Sequence, residues 1–373
     1  MELENNNGKP QKHIKPVSKI EASSEEGFDL SNCFKQQKQT AKAGQVGYVK
    51  EADYYYDSYS HFNIHEEMLK DVMRTETYRD SIIKNRHLFE GKVVLDVGCG
   101  TGILSIFAAR AGAKQVIGVD AASIAEVTKK IIKENKLDDK ITIIKGKIEE
   151  VQLPVEKVDI IISEWMGYFL LYESMLDCVL WARDHYLAED GLLFPDRAIM
   201  YLSTIEDEKY YDEMFNFWDD VYGVDMSCIK PWVRREPLVE YVEAEQVNGS
   251  IVPILDIDLK TVQIKDLDFS NKYQIQMRRN QRVHGFVSWF ETLFSHGDEV
   301  LTLSTSPQKT NTHWKQTIFY LEKPFDANFG DVLQGSIAVK KAEDNERNID
   351  VKISCRLENN HQKVDAINQY KLN

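Results

Sequence analysis

Nowhere in this chain do two cysteines form a Cys-x-x-Cys pair. The five present, at positions 33, 99, 178, 228 and 355, are odd in number and scattered. That argues against a disulfide framework and against a zinc site, and for free thiols in a reducing compartment. No apolar run approaches the roughly 20 residues that cross a bilayer, and the polar N-terminus does not read as a signal peptide. A soluble intracellular protein is expected. Basic charge is also in deficit: 46 Lys and Arg stand against 60 Asp and Glu, for a formal net charge of −14. Direct contact with a nucleic-acid backbone is therefore disfavoured, and basic protein tails are the better match. What is present is a hydrophobic fraction of 43% over 373 residues. That is enough for one very large domain or two ordinary ones.

Residues 1–45 are rich in Lys, Glu, Gln, Asn and Ser and read as a disordered tail, with too little apolar surface to order itself. From about Gly47 to Arg86 the pattern is helical, with Met68, Leu69, Val72 and Met73 forming an i, i+3, i+4 stripe. Strands and helices then alternate: Val93–Val97, Ile103–Arg110, Gln115–Val119, a helix carrying Ile124, Val127 and Ile131, Ile141–Ile144 and Val158–Ile162. Such alternation predicts a parallel sheet covered by helices, an α/β Rossmann-like domain over residues 46–195. The character changes at Phe194-Pro195-Asp196. Beyond it, period-two patterns predict antiparallel strands over 196–373. Ile349, Val351, Ile353, Cys355 and Leu357 face a core and alternate with Asp350, Lys352, Ser354 and Arg356 on a wet face; Val262/Ile264 and Ile275/Met277 do the same. Asn248-Gly249-Ser250 reads as a hairpin turn. Residues 207–225 form a helical, aromatic-rich insertion (Tyr210, Tyr211, Met214, Phe215, Phe217, Trp218), either core or a partner surface.

Two features carry chemistry. Residues 93–102 read Val-Val-Leu-Asp-Val-Gly-Cys-Gly-Thr-Gly, a strand running into a glycine turn ahead of a helix. A second strand follows and ends in Asp120, twenty residues after Gly100. Glycines at 98 and 100 let the backbone approach a ligand, and the acid can hold ribose hydroxyls. Nicotinamide cofactors want Gly-x-Gly-x-x-Gly, and position 103 is Ile, which makes a dehydrogenase remote. Asp96, at the end of the first strand, is placed to bond the loop amides. The second feature is a pair of glutamates, Glu164 and Glu173, in a segment otherwise built of Trp, Met, Phe, Leu and Tyr. Carboxylates in apolar surroundings need a cation, and a guanidinium offers paired donors to each. The segment looks built to enclose an arginine side chain.

With both features in view the chain resembles the type I protein arginine methyltransferases. The resemblance rests on Tyr55-x-Asp57-Ser58-Tyr59, on His65-Glu66-Glu67-Met68-Leu69, on the glycine loop, on the paired glutamates and on Thr312-His313-Trp314. It runs from about Tyr54 to Lys230 and resumes at Thr312–Thr317. It implies S-adenosylmethionine as cofactor, S-adenosylhomocysteine as its product, and transfer of methyl groups to arginine in proteins. Histones and arginine-glycine-rich RNA-binding proteins would be the substrates, and monomethyl and asymmetric dimethylarginine the products. By the same resemblance Glu164, Glu173, His313 and Asp71 are catalytic. His65, Arg74, Gly98, Gly100, Asp120, Glu149, Tyr59 and Met68 bind the cofactor, and Tyr55, Tyr59, Met68, Met175 and Trp314 line the substrate pocket. His65 and Arg74 lie nine positions apart, about half a revolution on a straight helix, so both can face the cofactor only if the helix breaks between them. The family's C-terminal β-barrel, its dimerisation arm (matching 207–225), a homodimer or higher homo-oligomer, and a nuclear and cytoplasmic location are implied likewise. The acid at 120 is usually Glu in this family; Asp is one methylene shorter, which bears on cofactor affinity. A catalytically silent relative acting as a partner subunit is the alternative.

Overall fold

The computed structural model describes residues 27–34, 55–56, 58–359 and 362–373. Most of the expected tail, and the first residues of the expected helical region, lie outside this set.

Strands β1 (Val93–Val97), β2 (Gln115–Asp120), β3 (Ile141–Lys145), β4 (Val158–Ile162) and β5 (Leu187–Phe194) form one sheet in the order β3-β2-β1-β4-β5. Every pairing in it is parallel. Val, Ile and Leu fill these strands because both faces are covered, as parallel sheets require. Helix α3 (Ile103–Arg110) follows the glycine turn and α4 (Ile124–Glu134) follows β2. The order places β2 on one side of β1 and β4 on the other. The direction of winding reverses there, and a crevice opens at the carboxyl ends of these strands.

Two helices precede the sheet, α1 (Phe62–Lys70) and α2 (Val72–Ile83), and Asp71 interrupts them with an extended backbone (φ −68°, ψ 95°). Its side chain then caps α2 by accepting the Arg74 N–H at 2.9 Å. A short carboxylate that can satisfy an orphan helix donor is a natural N-cap, so one residue both breaks the helix and restarts it. His65 and Arg74 thus sit on separate helices.

After Phe194 the chain leaves the parallel sheet and becomes antiparallel. One sheet runs β7-β12-β10-β6-β8, with β11 also on β10, and a second runs β15-β14-β13-β9. Here β6 is Arg197–Ile205, β7 Leu238–Glu240, β8 Val252–Asp258, β9 Phe269–Gln276, β10 Gln281–Phe294, β11 Leu301–Ser304, β12 Gln316–Ala327, β13 Val332–Lys341, β14 Ile349–Glu358 and β15 Lys363–Leu372. Phe286, Phe290, Phe319, Ile337, Ile353 and Tyr370 belong to the buried core inside them. The β14 alternation matches its reading except at Asp350, expected on the wet face and found buried. Val262 and Ile264 are not in a strand. Ile264–Asp266 is a 3-10 turn in which Gln263 and Asp266 cap each other, and these local bonds outcompete a two-residue alternation.

The disordered-tail reading is corrected for residues 27–34. Phe34 is buried, Lys340 Nζ stands 5.2 Å from its ring centre, and Lys352 Nζ stands 5.1 Å from the Phe28 ring. Lys352 Nζ also donates to the Cys33 carbonyl at 2.8 Å. Two phenylalanines six residues apart supply what the rest of the tail lacks, and Asp29 closes the turn between them by accepting from Ser31 and Asn32.

In the insertion, helix α5 (Glu208–Phe215) packs Tyr211 and Phe215 against Tyr320 on β12. Its other half points outward: Phe217 and Val224 are exposed, and Tyr222 is 100% exposed.

Candidate active site

Three neighbouring strands of the parallel sheet end on one cavity, and this brings distant parts of the sequence together. β1 runs into Gly98, Cys99 and Gly100, β2 ends at Asp120, and β4 runs into Ser163 and Glu164, all of which line the cavity except Ser163. Ser163 Oγ donates to the Val97 carbonyl at 2.7 Å, tying the two strand ends. Gly98 has φ 72°, and a Cβ there would stand 2.2 Å from Met175 Cε. Glycine adopts this conformation without strain and leaves room for the methionine.

Asp120 accepts the Gly100 N–H through Oδ2 and the Ala122 N–H through Oδ1, both at 2.8 Å. The loop amide is therefore held by Asp120 and not by Asp96, which corrects the sequence reading. Asp96 instead accepts the Ser105 hydroxyl at 2.6 Å, beneath the loop. Complete burial pushes the Asp96 carboxyl up to about 7; the Ser105 hydrogen bond opposes the rise and the Asp120 charge adds to it. A first-strand acid points into the core behind the loop, whereas the second-strand acid points along the crevice. The shorter Asp at 120 reaches both amides and still lines the cavity.

The glutamates sit on residues 163–175, a loop folded tightly on itself. Phe169, Leu170, Glu173 and Ser174 all have positive φ, at 50°, 61°, 75° and 56°. Four non-glycine residues in the left-handed region are strain that surrounding contacts must hold, and such strain concentrates at functional sites. Trp314 is one restraint: its indole N–H donates to the Met166 carbonyl at 2.7 Å from a buried position. It borders the cavity, but its polar edge is committed to the loop.

Each glutamate has its own partner. Arg74 Nε donates to Glu164 Oε2 at 2.9 Å, with both side chains less than a tenth exposed. Arg74 Nη1 donates to the Met68 carbonyl at 3.1 Å. Tyr59 donates its hydroxyl to Glu173 Oε2 at 2.8 Å. Burial raises the Glu173 carboxyl above its usual range; the Tyr59 hydrogen bond and the Arg347 charge pull it back, while the Glu164 charge pushes it further up.

The remaining side chains converge from both halves. His65 is buried beside Gly100, and its Nε2 lies 2.8 Å from the Tyr59 carbonyl, an acceptor. This leaves Nδ1 toward the glycine loop as the nitrogen without the proton in the neutral ring. His313 Nδ1 stands 2.7 Å from Asp71 Oδ2, which also accepts the His313 backbone N–H at 2.9 Å. Asp71 thus caps α2 and holds His313 at once. Tyr55, Met68, Met175 and Glu149 line the same cavity, Glu149 from an exposed position. Among the lining side chains that the sequence reading did not assign to the site are Tyr56, Cys178 and Arg347. Tyr56 sits inside a recognised motif and was accessible to the same reasoning. Arg347 lies 174 positions from Glu173 in a polar turn, and no local pattern marks it.

A parallel sheet of this order, a glycine turn at the reversal point and an acid ending the next strand define a nucleotide-type cofactor fold. Residues 80–171 match the ribosomal protein L11 methyltransferase family, which narrows the class to methyltransferases. Residues 196–360 match the arginine methyltransferase oligomerization subdomain. Protein arginine N-methyltransferase 1 of Schizosaccharomyces pombe is 56% identical over 315 residues, covering 84% of this chain and 92% of that protein. The Saccharomyces cerevisiae protein of the same name is 50% identical over 309 residues, 82% of this chain and 89% of that one. Among solved structures, the Trypanosoma brucei PRMT1 enzyme–prozyme heterotetrameric complex with AdoHcy aligns at a TM-score of 0.83. It is 46% identical and covers 85% of this chain and all of its own. Arabidopsis thaliana protein arginine methyltransferase 10 aligns at 0.78 with 31% identity, covering 86% of this chain and all of its own. The chain belongs to the protein arginine methyltransferase family.

Proposed function

We propose that the protein is an active type I enzyme of this family, which uses S-adenosylmethionine to methylate arginine guanidino nitrogens in proteins and yields monomethyl and then asymmetric dimethylarginine. One observation carries the reading. Glu164 and Glu173 border a single cavity on a strained loop that starts at the end of β4, beside the glycine turn.

The residues present fit the cofactor. A cradle at Gly98 and Gly100 that a Cβ would fill or strain, with a carboxylate at Asp120 beside it, suits an adenosine with free ribose hydroxyls. His65, Met68, Tyr59 and Glu149 would complete its surroundings, and Arg74, already on Glu164, would meet its carboxylate. When bound, the cofactor supplies an electrophilic sulfonium methyl. Glu164 and Glu173 hold the substrate guanidinium from two sides and draw its positive charge toward the nitrogens they bond. The target nitrogen is left richer in electrons and aimed. Positioning and fixed electrostatics do most of the work, so no strong base is needed before transfer. Afterwards His313, tied to Asp71, or Glu173 accepts the proton. S-adenosylhomocysteine is the spent cofactor.

Met68 and Met175 border the pocket. Both are flexible and unbranched, so a methylated guanidinium has room to rotate and present the same nitrogen again. Incubation with labelled S-adenosylmethionine and an arginine-glycine-rich peptide should give monomethyl and then asymmetric dimethylarginine, separated from the symmetric isomer by neutral-loss mass spectrometry. Mainly symmetric product would defeat the type I assignment.

The net charge of −14 supports basic substrates, arginine-glycine-rich proteins and histones among them. Scattered free thiols fit the proposed nuclear and cytoplasmic location. The oligomer we favour is a homodimer joined through 207–225, whose exposed Phe217, Tyr222 and Val224 are an apolar edge suited to burial. Replacing Phe217 and Tyr222 together by Asp should convert the protein to monomers in sedimentation velocity at micromolar concentration. A wild-type protein already monomeric there rules the homodimer out.

A further inference from the structure

The turn between β13 and β14 reaches from the antiparallel half onto the acidic loop, and its contact residue is Arg347. The Glu173 backbone N–H donates to the Arg347 carbonyl at 2.9 Å, and Arg347 Nη1 donates back to the Glu173 carbonyl at 2.6 Å. Beside them, Ser174 Oγ donates to the Glu346 carbonyl at 2.5 Å. Glu173 and Ser174 are the last two left-handed residues of the loop, and these bonds pin their backbone. The same guanidinium lies over the Tyr55 ring at 3.6 Å and near the Tyr56 ring at 5.3 Å. Its Nη2 donates to the Tyr56 hydroxyl at 3.3 Å. One cation therefore joins the aromatic segment that carries Tyr59, the second acid and the antiparallel half.

We infer that Arg347 is a positioning residue for methyl transfer: its guanidinium and carbonyl clamp Glu173 in its left-handed conformation and seat the Tyr55–Tyr59 segment against the cavity. The inference rests on the reading of Glu173 as a guanidinium ligand. Arg347 is not a substrate ligand, since its Nη1 bonds the Glu173 carbonyl, its Nη2 bonds the Tyr56 hydroxyl, and its charge repels a second guanidinium. A planar fork that stacks and hydrogen-bonds at once is a task for which lysine is a poor replacement.

The charge reaches Glu173 as well. Glu173 is faced by Tyr55 and Tyr59 from the aromatic segment, by Glu164 from its own loop, and by Arg347 from the β13–β14 turn. Removing the one cation in that set raises the Glu173 carboxyl further, so the acid limb of kcat moves to higher pH.

Full-length Arg347→Gln and Arg347→Lys test this. Expected for Arg347→Gln are a kcat lower by roughly 10²-fold, the loss typical of a displaced catalytic group, an acid limb moved to higher pH, and weaker S-adenosylhomocysteine binding in calorimetry. Arg347→Lys should restore the acid limb without restoring full kcat. Wild-type kcat in Arg347→Gln overturns the inference. So does a lower kcat with an unmoved acid limb, the signature of a merely structural pin. Full turnover by Glu173→Gln would instead defeat the reading beneath it, independently of either Arg347 variant.

Discussion

Glu164→Gln and Glu173→Gln are each expected to lower kcat by about 10²–10³-fold or more, the scale on which loss of one preorganised electrostatic partner is felt. S-adenosylhomocysteine should still bind to either variant with near wild-type affinity. The amide keeps the shape of each side chain and removes the charge that holds the substrate guanidinium. The two variants should differ in stability. In Glu164→Gln the buried Arg74 loses its carboxylate and is left as an unpaired cation, a destabilising change. In Glu173→Gln a carboxylate already costly to ionise becomes neutral, with Tyr59 still able to donate to the amide oxygen. Activity of the unmodified enzyme should fall with decreasing pH through a Glu173 titration above the ordinary carboxylate range, because only the ionised form grips the guanidinium. Turnover assays beside calorimetric titration decide the matter, and retention of most activity by either variant would sink its catalytic assignment.

Gly167→Ala should be nearly as damaging, although position 167 carries no functional group. A Cβ there would stand 1.9 Å from the Tyr172 carbonyl oxygen and 2.8 Å from its carbon, both backbone atoms that cannot rotate aside. Gly167 also donates its N–H to the Leu170 carbonyl at 3.0 Å, closing the turn between the two acids. Tyr172 immediately precedes Glu173, so relief of the clash displaces the second carboxylate. A shift of about 1 Å costs on the order of 10²-fold in rate, while the glycine turn at 98–102 and cofactor affinity should be little changed. Wild-type kcat in Gly167→Ala would mean that the loop tolerates rearrangement and that the Glu173 position is not critical.

Local patterns revealed the parallel half well. β1 and β4 begin and end where their apolar runs do, and the helix after the glycine turn spans Ile103–Arg110 as its sequence suggests. These elements follow short-range periodicity, which a sequence displays directly. The two-residue alternation at Val262/Ile264 failed because reciprocal side-chain caps satisfied the backbone locally. The tail reading failed at 27–34 because average composition hides two phenylalanines with a sheet to dock against.

The sequence by itself determined the chemistry available: two glutamates in apolar surroundings, a glycine turn that excludes a nicotinamide pattern, and an acid after the second strand. Tertiary structure decided how those groups are deployed. The order of strands put β1, β2 and β4 side by side, so that Gly100, Asp120 and Glu164 meet. It gave Glu164 to Arg74, Glu173 to Tyr59, and the loop amide to Asp120 instead of Asp96. It also delivered Arg347 from 174 positions away. Hydrogen bonds and ion pairs act over about 3 Å of space whatever the distance along the chain. Their partners are therefore fixed by how the sheets and loops pack, which no pattern of neighbouring residues records.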